Sequence, residues 1–306
     1  MTKAVFLTFL AALCLAAPAQ AAKPIVGFGE QNPAIFSDLR WIDMKKNERH
    51  YIRYVMPWDA LKYKHNRAVT DLWMDAAEYR KANVLLSFGY SVKKRRQHKM
   101  PSVKQYKAQI KAVRKRYPFV KTFQTWNEAN QGLQPTFRKP KATAKLYDTL
   151  VKTCKGCTVT APSLLLAADM KAVNWAKTFD RAAKKRVKIW AVHNHIDVNR
   201  NIKTGTKTFL RYTRGQVWFT ETGAIWNRWI GRRKLKQYNH KSAVRAIRNI
   251  FKIQKLSKRR IKRIYVYNWY GTKAKRPRWD SGLVNASGTE RKTLKTLKAQ
   301  MRRYAR

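Results

Sequence analysis

The sequence alternates between short apolar runs and longer stretches of helical periodicity along almost its whole length. The apolar runs are rich in β-branched and aromatic residues, and several stop at Gly, Pro or Asn, which is typical of buried strands. The eight runs occupy residues 25–28, 51–55, 84–88, 120–126, 158–161, 187–192, 217–220 and 264–267.

Strands that alternate with helices favour parallel β-α units, in which each helix returns the chain to begin the next strand. We predict helices over residues 36–46, 70–81, 103–117, 141–151, 169–183, 206–212, 243–256 and 289–305. Eight such repeats predict a single-domain α/β protein, a closed (β/α)8 TIM barrel of the usual length of about 250 residues. An open doubly wound sheet is the alternative, but the first strand lacks the full glycine-rich phosphate loop of that fold.

The first 21 residues have the features of a secretory signal peptide. Lys3 gives the positive start, residues 4–17 form an apolar stretch, and Ala19-Gln20-Ala21 fits the cleavage pattern. We therefore expect a mature catalytic domain over residues 22–306 that is secreted or associated with the cell wall. The apolar stretch is shorter than the about 20 residues of a membrane-spanning helix, and no later segment forms one.

Two cysteines lie beyond the expected cleavage site, in Cys154-Lys155-Gly156-Cys157. One such pair supplies too few ligands for a zinc site. A thioredoxin-type motif opens a helix after a strand, whereas this pair follows a helical pattern and precedes a strand. In an exported protein the pair predicts a small disulfide that closes the loop.

The chain is strongly basic, with 68 lysines and arginines, 16 aspartates and glutamates, and a formal net charge of +52. A charge of this size bears on partners and solubility rather than on fold. The cations are spread through every helical segment, which fits either a solvated cationic surface or retention on an anionic wall or extracellular polymer. Specific nucleic-acid binding is not expected, because the cations are dispersed and no recognition motif is present.

Two glutamates stand at the exits of predicted strands in this chain of few acids. Glu128 closes the sequence FQTWNE after the fourth run, and Glu221 closes VWFTE after the seventh. At the carboxyl ends of parallel barrel strands both side chains face one shared pocket. Two carboxyl groups in one pocket are a candidate acid and nucleophile for breaking a glycosidic bond.

A Trp-Asn-Glu after the fourth strand, together with a lone glutamate after the seventh, resembles the clan A glycoside hydrolases. The resemblance covers nearly the whole mature chain in strand order, and the segment WDSGLV at residues 279–284 is also similar to some members. It implies a retaining (β/α)8 glycosidase with Glu128 as acid/base and Glu221 as nucleophile. It also implies that Asn127 binds the sugar 2-hydroxyl. Retention requires two carboxyl groups about 5–5.5 Å apart, one protonated and one ionised.

Arginine and histidine residues near other strand ends are candidates for the same site. Members of the clan commonly hold the nucleophile with an arginine near the second strand, which implies that Arg53 keeps Glu221 ionised. The alternative for Arg53 is one more surface arginine. His193 and His195 follow the sixth strand, where related enzymes place a His or Tyr, and we expect both to line the site. No third ligand stands at matching spacing, so neither a metal nor another cofactor is expected.

Aromatic residues after strand ends are candidates for a substrate cleft, because sugar rings stack their C–H faces on aromatic side chains. We expect Trp58 and Trp269 there, and Trp226 on the loop that follows Glu221. Trp73 and Trp175 lie on predicted helices and are expected in the core.

The residues and the resemblance together predict a secreted retaining glycosidase that cleaves O-glycosidic bonds of a poly- or oligosaccharide, by hydrolysis or by transglycosylation. The alternative is a glycan- or polyanion-binding barrel with weak catalysis at the cell surface. Loop shape decides the sugar and the linkage on this fold, and the sequence does not name them.

Overall fold

The barrel strands form one parallel sheet that closes on itself. The computed structural model describes residues 23–44 and 50–305, so the predicted signal peptide lies outside the described residues. The barrel strands are β1 (Ile25–Gly29), β2 (Tyr51–Pro57), β3 (Asn83–Gly89), β4 (Thr122–Gln124), β5 (Thr158–Thr160), β6 (Ser163–Leu165), β7 (Ile189–His193), β8 (Gln216–Thr222) and β11 (Ile261–Tyr267). A small antiparallel hairpin, β9 (Trp229–Ile230) and β10 (Arg233–Lys234), lies in the loop after β8.

The hydrogen-bonded order of the sheet is β5-β4-β3-β2-β1-β11-β8-β7-β6, and every neighbouring pair is parallel. The two end strands, β5 and β6, are halves of one barrel strand that is interrupted at Pro162, which has no amide hydrogen for the ladder. The Ala161 amide donates to the Ile189 carbonyl at 2.9 Å, which closes the ring between β5 and β7. The predicted (β/α)8 TIM barrel is confirmed.

Helices connect the strands on the outside of the barrel. They are α1 (Leu39–Ile42), α2 (Lys64–Tyr79), α3 (Val103–Arg116), α4 (Pro140–Thr153), α5 (Lys171–Ala182), α6 (His195–Arg200), α7 (Thr204–Tyr212), α8 (His240–Gln254) and α9 (Lys292–Ala305). Local sequence sets several of their starts. Ser102 forms a capping box with Gln105 at α3, and Pro140 opens α4.

Three stretches differ from the sequence-based helices, and one of them is α2, which begins at Lys64, six residues before the predicted start. The stretch predicted as one helix over residues 36–46 begins instead as a 3-10 turn at Pro33–Ser37, which α1 follows. The helix α6 lies where the sequence predicts none, because its six residues are too few to show a helical period. No helix within residues 23–44 and 50–305 is long and apolar enough to cross a bilayer.

The barrel interior is filled by a small apolar cluster at the amino ends of the strands. Successive side chains of a strand point to opposite faces, so every second residue points into the barrel. Leu85, Trp218 and Tyr265 form this cluster, with Tyr51 and Ile189 packed against it. The five side chains come from five different strands, and together they form a floor beneath the polar residues at the carboxyl ends.

The main core lies between the strands and the surrounding helices. Trp73 and Trp175, which the sequence places in the core, are 1% and 8% exposed. Trp190 of β7 is buried in the same core and packs edge-on against Phe209 of α7, with ring centroids 5.7 Å apart. Helical apolar faces and strand faces thus share one continuous layer around the barrel.

A disulfide joins Cys154, at the end of α4, to Cys157, just before β5, as the sequence predicts. The two Cα atoms are 5.5 Å apart, and Cys154 is buried against the main core. The bridge restrains the turn that sets the start of the broken barrel strand.

Removal of this disulfide is expected to destabilise the protein modestly. A closed loop of about four residues corresponds to about 2 kcal/mol in the chain-entropy account of disulfides. Cys154→Ala/Cys157→Ser should therefore lower the melting temperature by a few degrees, measured by circular dichroism. Dithiothreitol should lower the wild-type melting temperature by a similar amount and leave the variant unchanged. A reductant response in the variant would contradict this assignment.

Candidate active site

Polar side chains occupy the barrel interior above the apolar floor. Arg53 lies two residues beyond the floor on β2, and Tyr267 lies two residues beyond it on β11. Between β7 and β8 the strand register shifts, which pairs His193 with Glu221. The period of two therefore directs Arg53, His193 and Tyr267 to the carboxyl end of the barrel, and the irregularity in β8 brings Glu221 to the same end, where barrel enzymes hold their active sites.

The structure brings Glu128 and Glu221 together around the ring of His193. Nδ1 of His193 lies 3.0 Å from Glu128 Oε1 and 3.7 Å from Glu221 Oε2. These two distances together limit the separation of the two carboxyl oxygens to 6.7 Å. Carboxyl pairs stand about 5–5.5 Å apart in retaining glycosidases and about 6.5–9.5 Å apart in inverting ones. The limit on this oxygen pair is compatible with the retaining separation.

Glu221 is buried in β8 and paired with Arg53. Nη1 of Arg53 donates to Glu221 Oε1 at 2.5 Å, and Nη2 donates to Asn127 Oδ1 at 2.6 Å. Arg53 is 1% exposed, so it is not the surface arginine of the alternative interpretation.

The surroundings of Glu221 favour its charged form. Burial disfavours the carboxylate, but electrostatic attraction to His193 and Arg53 outweighs this effect, and attraction to His195 acts in the same direction. The pKa of Glu221 is consequently held well below its usual range. Glu221 is therefore a carboxylate throughout the neutral pH range.

Glu128 has a more open setting on the loop that follows β4. Its side chain is 23% exposed and lines a cleft. The strand β4 ends at Gln124, before the end of the predicted run, and the chain then turns so that the Glu128 amide donates to Ser163 Oγ at 2.8 Å. Glu128 has a φ of +48°, in the left-handed region. A non-glycine residue held there costs about 1–3 kcal/mol, and such strain clusters at functional sites.

His195 approaches Glu221 beside His193. Nε2 of His195 lies 3.8 Å from Glu221 Oε2, and ligand atoms of the two histidines and Glu221 all lie within 4.8 Å of one another. The fold thus supplies a third potential metal ligand that sequence spacing does not reveal. Arg53 already binds the Glu221 carboxylate, however, and would repel a second cation in the same small space. His193 and His195 are therefore better suited to stabilising the Glu221 carboxylate than to binding a metal ion with it.

A cleft of about 950 Å³ opens over these residues. Asn127, Glu128, His195 and Glu221 are among the residues that line this cleft. Its aromatic lining consists of Tyr90, Tyr238, Tyr267, Tyr270 and Trp279. Aromatic faces beside a few polar groups are suited to binding sugar rings.

None of the three tryptophans expected in the cleft lines it, which corrects the sequence-based assignment. Trp58 is 4% exposed and Trp269 is 0% exposed, and both belong to the main core. Trp226 is half-buried and packs against His240, with ring centroids 5.2 Å apart. The sequence shows that these tryptophans follow a strand, but it does not show whether the chain then turns toward the cleft or toward the core. The backbone amide of Trp269 donates a hydrogen bond to the Glu30 carboxylate at 3.1 Å, and this contact fixes the turn that follows β11.

Tyr267 and Trp279 take the aromatic positions beside the glutamates instead. The Trp279 ring lies 4.9 Å from the His195 ring, and the Tyr267 ring lies 6.4 Å from it. Burial and then the negative charge of Glu221 raise the pKa of Tyr267, so its hydroxyl remains protonated. The alternation of side chains along the eighth run could have predicted that Tyr267 points into the barrel. Trp279 lies on a loop, where no periodic pattern predicts the direction of a side chain.

Comparison with known proteins relates this chain to enzymes that act on sugars. The family model described as glycosyl hydrolase catalytic core matches residues 96–296, a span that includes Glu128 and Glu221. No curated protein matches the chain by sequence.

Several solved structures share the fold. GH5_18 from Streptomyces cattleya in complex with GlcNAc is 13% identical with a TM-score of 0.64, over 94% of this chain and 81% of that one. Xylanase B from Clostridium stercorarium F9 is 11% identical with a TM-score of 0.62, over 90% and 96%. A fungal β-1,4-galactanase is 12% identical with a TM-score of 0.62, over 90% and 99%. At these identities the likeness shows the fold alone.

Replacement of Arg53 by methionine is expected to leave the Glu221 carboxylate buried without its cation. Breaking a buried ion pair on one side costs about 3–5 kcal/mol, so we expect a loss of this size in the free energy of unfolding at pH 7. The folded-state pKa of Glu221 lies below its unfolded value. The stability that this group contributes is thus complete above the unfolded pKa and is lost as the pH falls toward the folded one.

The difference between wild type and Arg53→Met should therefore narrow as the pH falls through the ordinary glutamate range near about 4.3, where Glu221 of the variant becomes protonated. Urea unfolding at pH 7 and pH 4 measures this difference. The double variant Arg53→Met/Glu221→Gln serves as the control, and it should recover most of the loss at pH 7. Equal stabilities of the single and double variants at pH 7 would show that the pair does not act as described.

Proposed function

The chain belongs to the family of glycosyl hydrolase catalytic cores; from this premise we propose that it is a clan A glycoside hydrolase, which cleaves O-glycosidic bonds with retention of anomeric configuration. In this proposal Glu221 is the nucleophile and Glu128 the acid/base. The observation that carries it is the contrast between two neighbouring carboxyl groups. Glu221 is buried and paired with Arg53, whereas Glu128 is partly exposed and lines the cleft.

In the first step the ionised Glu221 attacks the anomeric carbon while Glu128 gives its proton to the leaving oxygen. The glycosidic C–O bond breaks, and a glycosyl ester with Glu221 forms. The ester removes the negative charge beside Glu128, which favours ionisation of Glu128 and prepares it as a base. In the second step Glu128 takes a proton from water, the water oxygen attacks the anomeric carbon, and Glu221 is released. A sugar hydroxyl in place of water gives transglycosylation.

Asn127 is placed to bind the sugar hydroxyl beside the bond that breaks. Its Oδ1 accepts from Arg53, so the amide oxygen is already used and the Nδ2 hydrogens remain as donors. Asn127 also lines the cleft next to Glu128. The hydrogen bond from such a donor to the sugar hydroxyl becomes stronger as charge develops in the transition state. This difference between ground state and transition state accelerates the chemical step.

The cleft supports a poly- or oligosaccharide as the substrate. Its volume of about 950 Å³ is near the upper end of the about 300–1,000 Å³ typical of ligand pockets. The aromatic side chains spread along it from Tyr90, after β3, to Trp279, after β11. Several aromatic side chains in one cleft offer stacking faces to more than one sugar ring.

Export to the cell exterior is part of the same proposal. The signal-like residues 1–21 and the Cys154–Cys157 disulfide both support an oxidising extracellular location. The substrate is then a glycan outside the cell, and the large positive charge favours an enzyme held near anionic polymers.

Trapping of the glycosyl ester is the direct test of the nucleophile. The exported protein, incubated with activated 2-fluoro glycosides of several sugars, should gain one glycosyl mass on the peptide that contains Glu221, because fluorine slows the second step. Glu221→Gln, which keeps the size but lacks the nucleophilic carboxylate, should gain none. Intact mass should also show a chain that begins at Ala22. A mass gain on another residue would contradict the assignment, and no gain with a broad panel would favour the weakly catalytic binding barrel.

Glu128→Ala is expected to separate substrates by leaving group. For sugars with poor leaving groups, kcat/KM should fall by about 10²–10⁴-fold, the usual contribution of general acid–base catalysis. Dinitrophenyl glycosides need little protonation, so formation of the glycosyl ester from them should slow far less. Glu128→Gln removes only the acid and should show the same selectivity. Equal slowing of both substrate classes would exclude Glu128 as the acid.

A further inference from the structure

The end of the barrel opposite the cleft carries cations at every turn that leads from a helix into β3, β4, β5, β7, β8 and β11. These six turns contain no aspartate or glutamate. Their cations are Arg80, Lys81, Lys121, Lys155, Lys184, Lys185, Arg186, Lys188, Arg214, Lys255, Lys258, Arg259 and Arg260. At the other end of the barrel Glu30, Glu128, Glu221 and Asp280 line the cleft. These six turns therefore hold cations without the carboxylates that accompany the cations around the cleft.

Five of these cations surround a basic pocket below β7, β8 and β11. The pocket has a volume of about 430 Å³, and its cationic lining consists of Arg186, Lys188, Arg214, Arg259 and Arg260. Val187, Gly215 and Gln216 complete the lining, so none of the described residues around it is a carboxylate. Cations held around one concavity without acidic partners are an unneutralised charge, which attracts an anion from solution.

Arg260 is the fixed element of the basic pocket. Nε donates to the Gly215 carbonyl at 2.8 Å, Nη1 to the Leu210 carbonyl at 2.5 Å, and Nη2 to Thr213 Oγ1 at 3.2 Å. These acceptors orient the guanidinium but are uncharged, so they leave its positive charge uncompensated. Partial burial accordingly lowers the pKa of Arg260, and the negative charge of a bound anion would favour the charged guanidinium and so offset this effect.

Gly215 holds two further cations close together. Its φ is +86°, and a Cβ at this position would lie 2.6 Å from the Lys188 carbonyl oxygen. Only glycine allows the turn before β8 to pack so closely on the segment before β7. This contact brings the chain at Arg214 against the chain at Lys188 and gives the pocket a defined shape rather than a loose arrangement of surface side chains.

From this arrangement we propose that the basic pocket binds an anionic polysaccharide, whose projecting carboxylate, sulfate or phosphate group enters among the guanidinium groups. Arginine forks match such oxyanions in geometry as well as in charge. None of the described residues that line the pocket is aromatic, so they do not form the stacking surface of single-stranded nucleic-acid sites. A concavity of about 430 Å³ accepts a projecting group of a flexible chain.

Binding at this end leaves the catalytic cleft open. The cleft lies at the carboxyl ends of the strands and the basic pocket at their amino ends. A polysaccharide held in the pocket would retain the enzyme without blocking its substrate. The inference does not depend on the proposed reaction, since binding can be measured without turnover.

The test is a comparison of two triple variants that lose the same charge from opposite ends of the barrel. Arg186→Gln/Lys188→Gln/Arg214→Gln removes three cations from the pocket. It leaves Arg260 unchanged, because the hydrogen bonds of Arg260 hold the neighbouring turns together. Arg95→Gln/Arg96→Gln/Lys99→Gln removes the same residue types from the exposed loop after β3 and serves as the matched control. Binding of polygalacturonate, dextran sulfate, phosphomannan, neutral dextran and a 20-base-pair DNA is measured at 150 mM salt, with melting temperatures to confirm folding.

The expected result is a loss of at least about tenfold in affinity for one or more anionic polysaccharides in the pocket variant, against less than about threefold in the control. The polymer that loses most identifies the charged group, and neutral dextran should not bind. Equal losses in the two variants would show diffuse attraction only and would overturn the proposal. So would an absence of binding to all three anionic polysaccharides. Tighter binding of DNA than of every polysaccharide, with the loss confined to the pocket variant, would assign the site to nucleic acid instead.

Discussion

One buried guanidinium joins the separate parts of the catalytic end. Arg53, from β2, binds Glu221 in β8 and Asn127 on the loop after β4, so a single side chain ties together three segments that are distant in sequence. A buried ion pair of this kind adds little net stability over a well-packed apolar pair. Its effect lies in fixing the position and the charge of Glu221. In the proposed reaction, the roles of Glu128 and Asn127 both depend on that fixed carboxylate.

The barrel supports this ion pair through its alternation of side chains. The apolar floor of Leu85, Trp218 and Tyr265 excludes water beneath the polar layer. Attraction between charges is stronger where water is excluded, so the same strands that fill the barrel also strengthen the contacts above. Glu128 lies outside this layer, on a loop in the left-handed region, where it has access to the cleft. Strand and loop thus give the two carboxyl groups different surroundings.

The fold was accessible from the sequence because its signals are local and repeated. Buried runs and helical stretches each show their period within a few residues, so the barrel and the position of both glutamates at its carboxyl end could be predicted. The grouping of Arg53 with the glutamates rested on a resemblance as well. The tryptophans were misplaced because the turn after a strand is set by distant contacts, such as the Glu30 carboxylate at Trp269. The basic pocket is formed by the three turns that precede β7, β8 and β11. These turns are distant in sequence and meet only in the folded barrel, so no single stretch of sequence could predict the pocket.

The position of the basic pocket has a consequence for how the protein would stand on a charged polymer layer. The pocket lies at the amino ends of the strands and the cleft at their carboxyl ends, so the two face opposite directions along the barrel axis. A molecule anchored through the pocket would therefore stand with its barrel axis across the layer and its cleft facing outward.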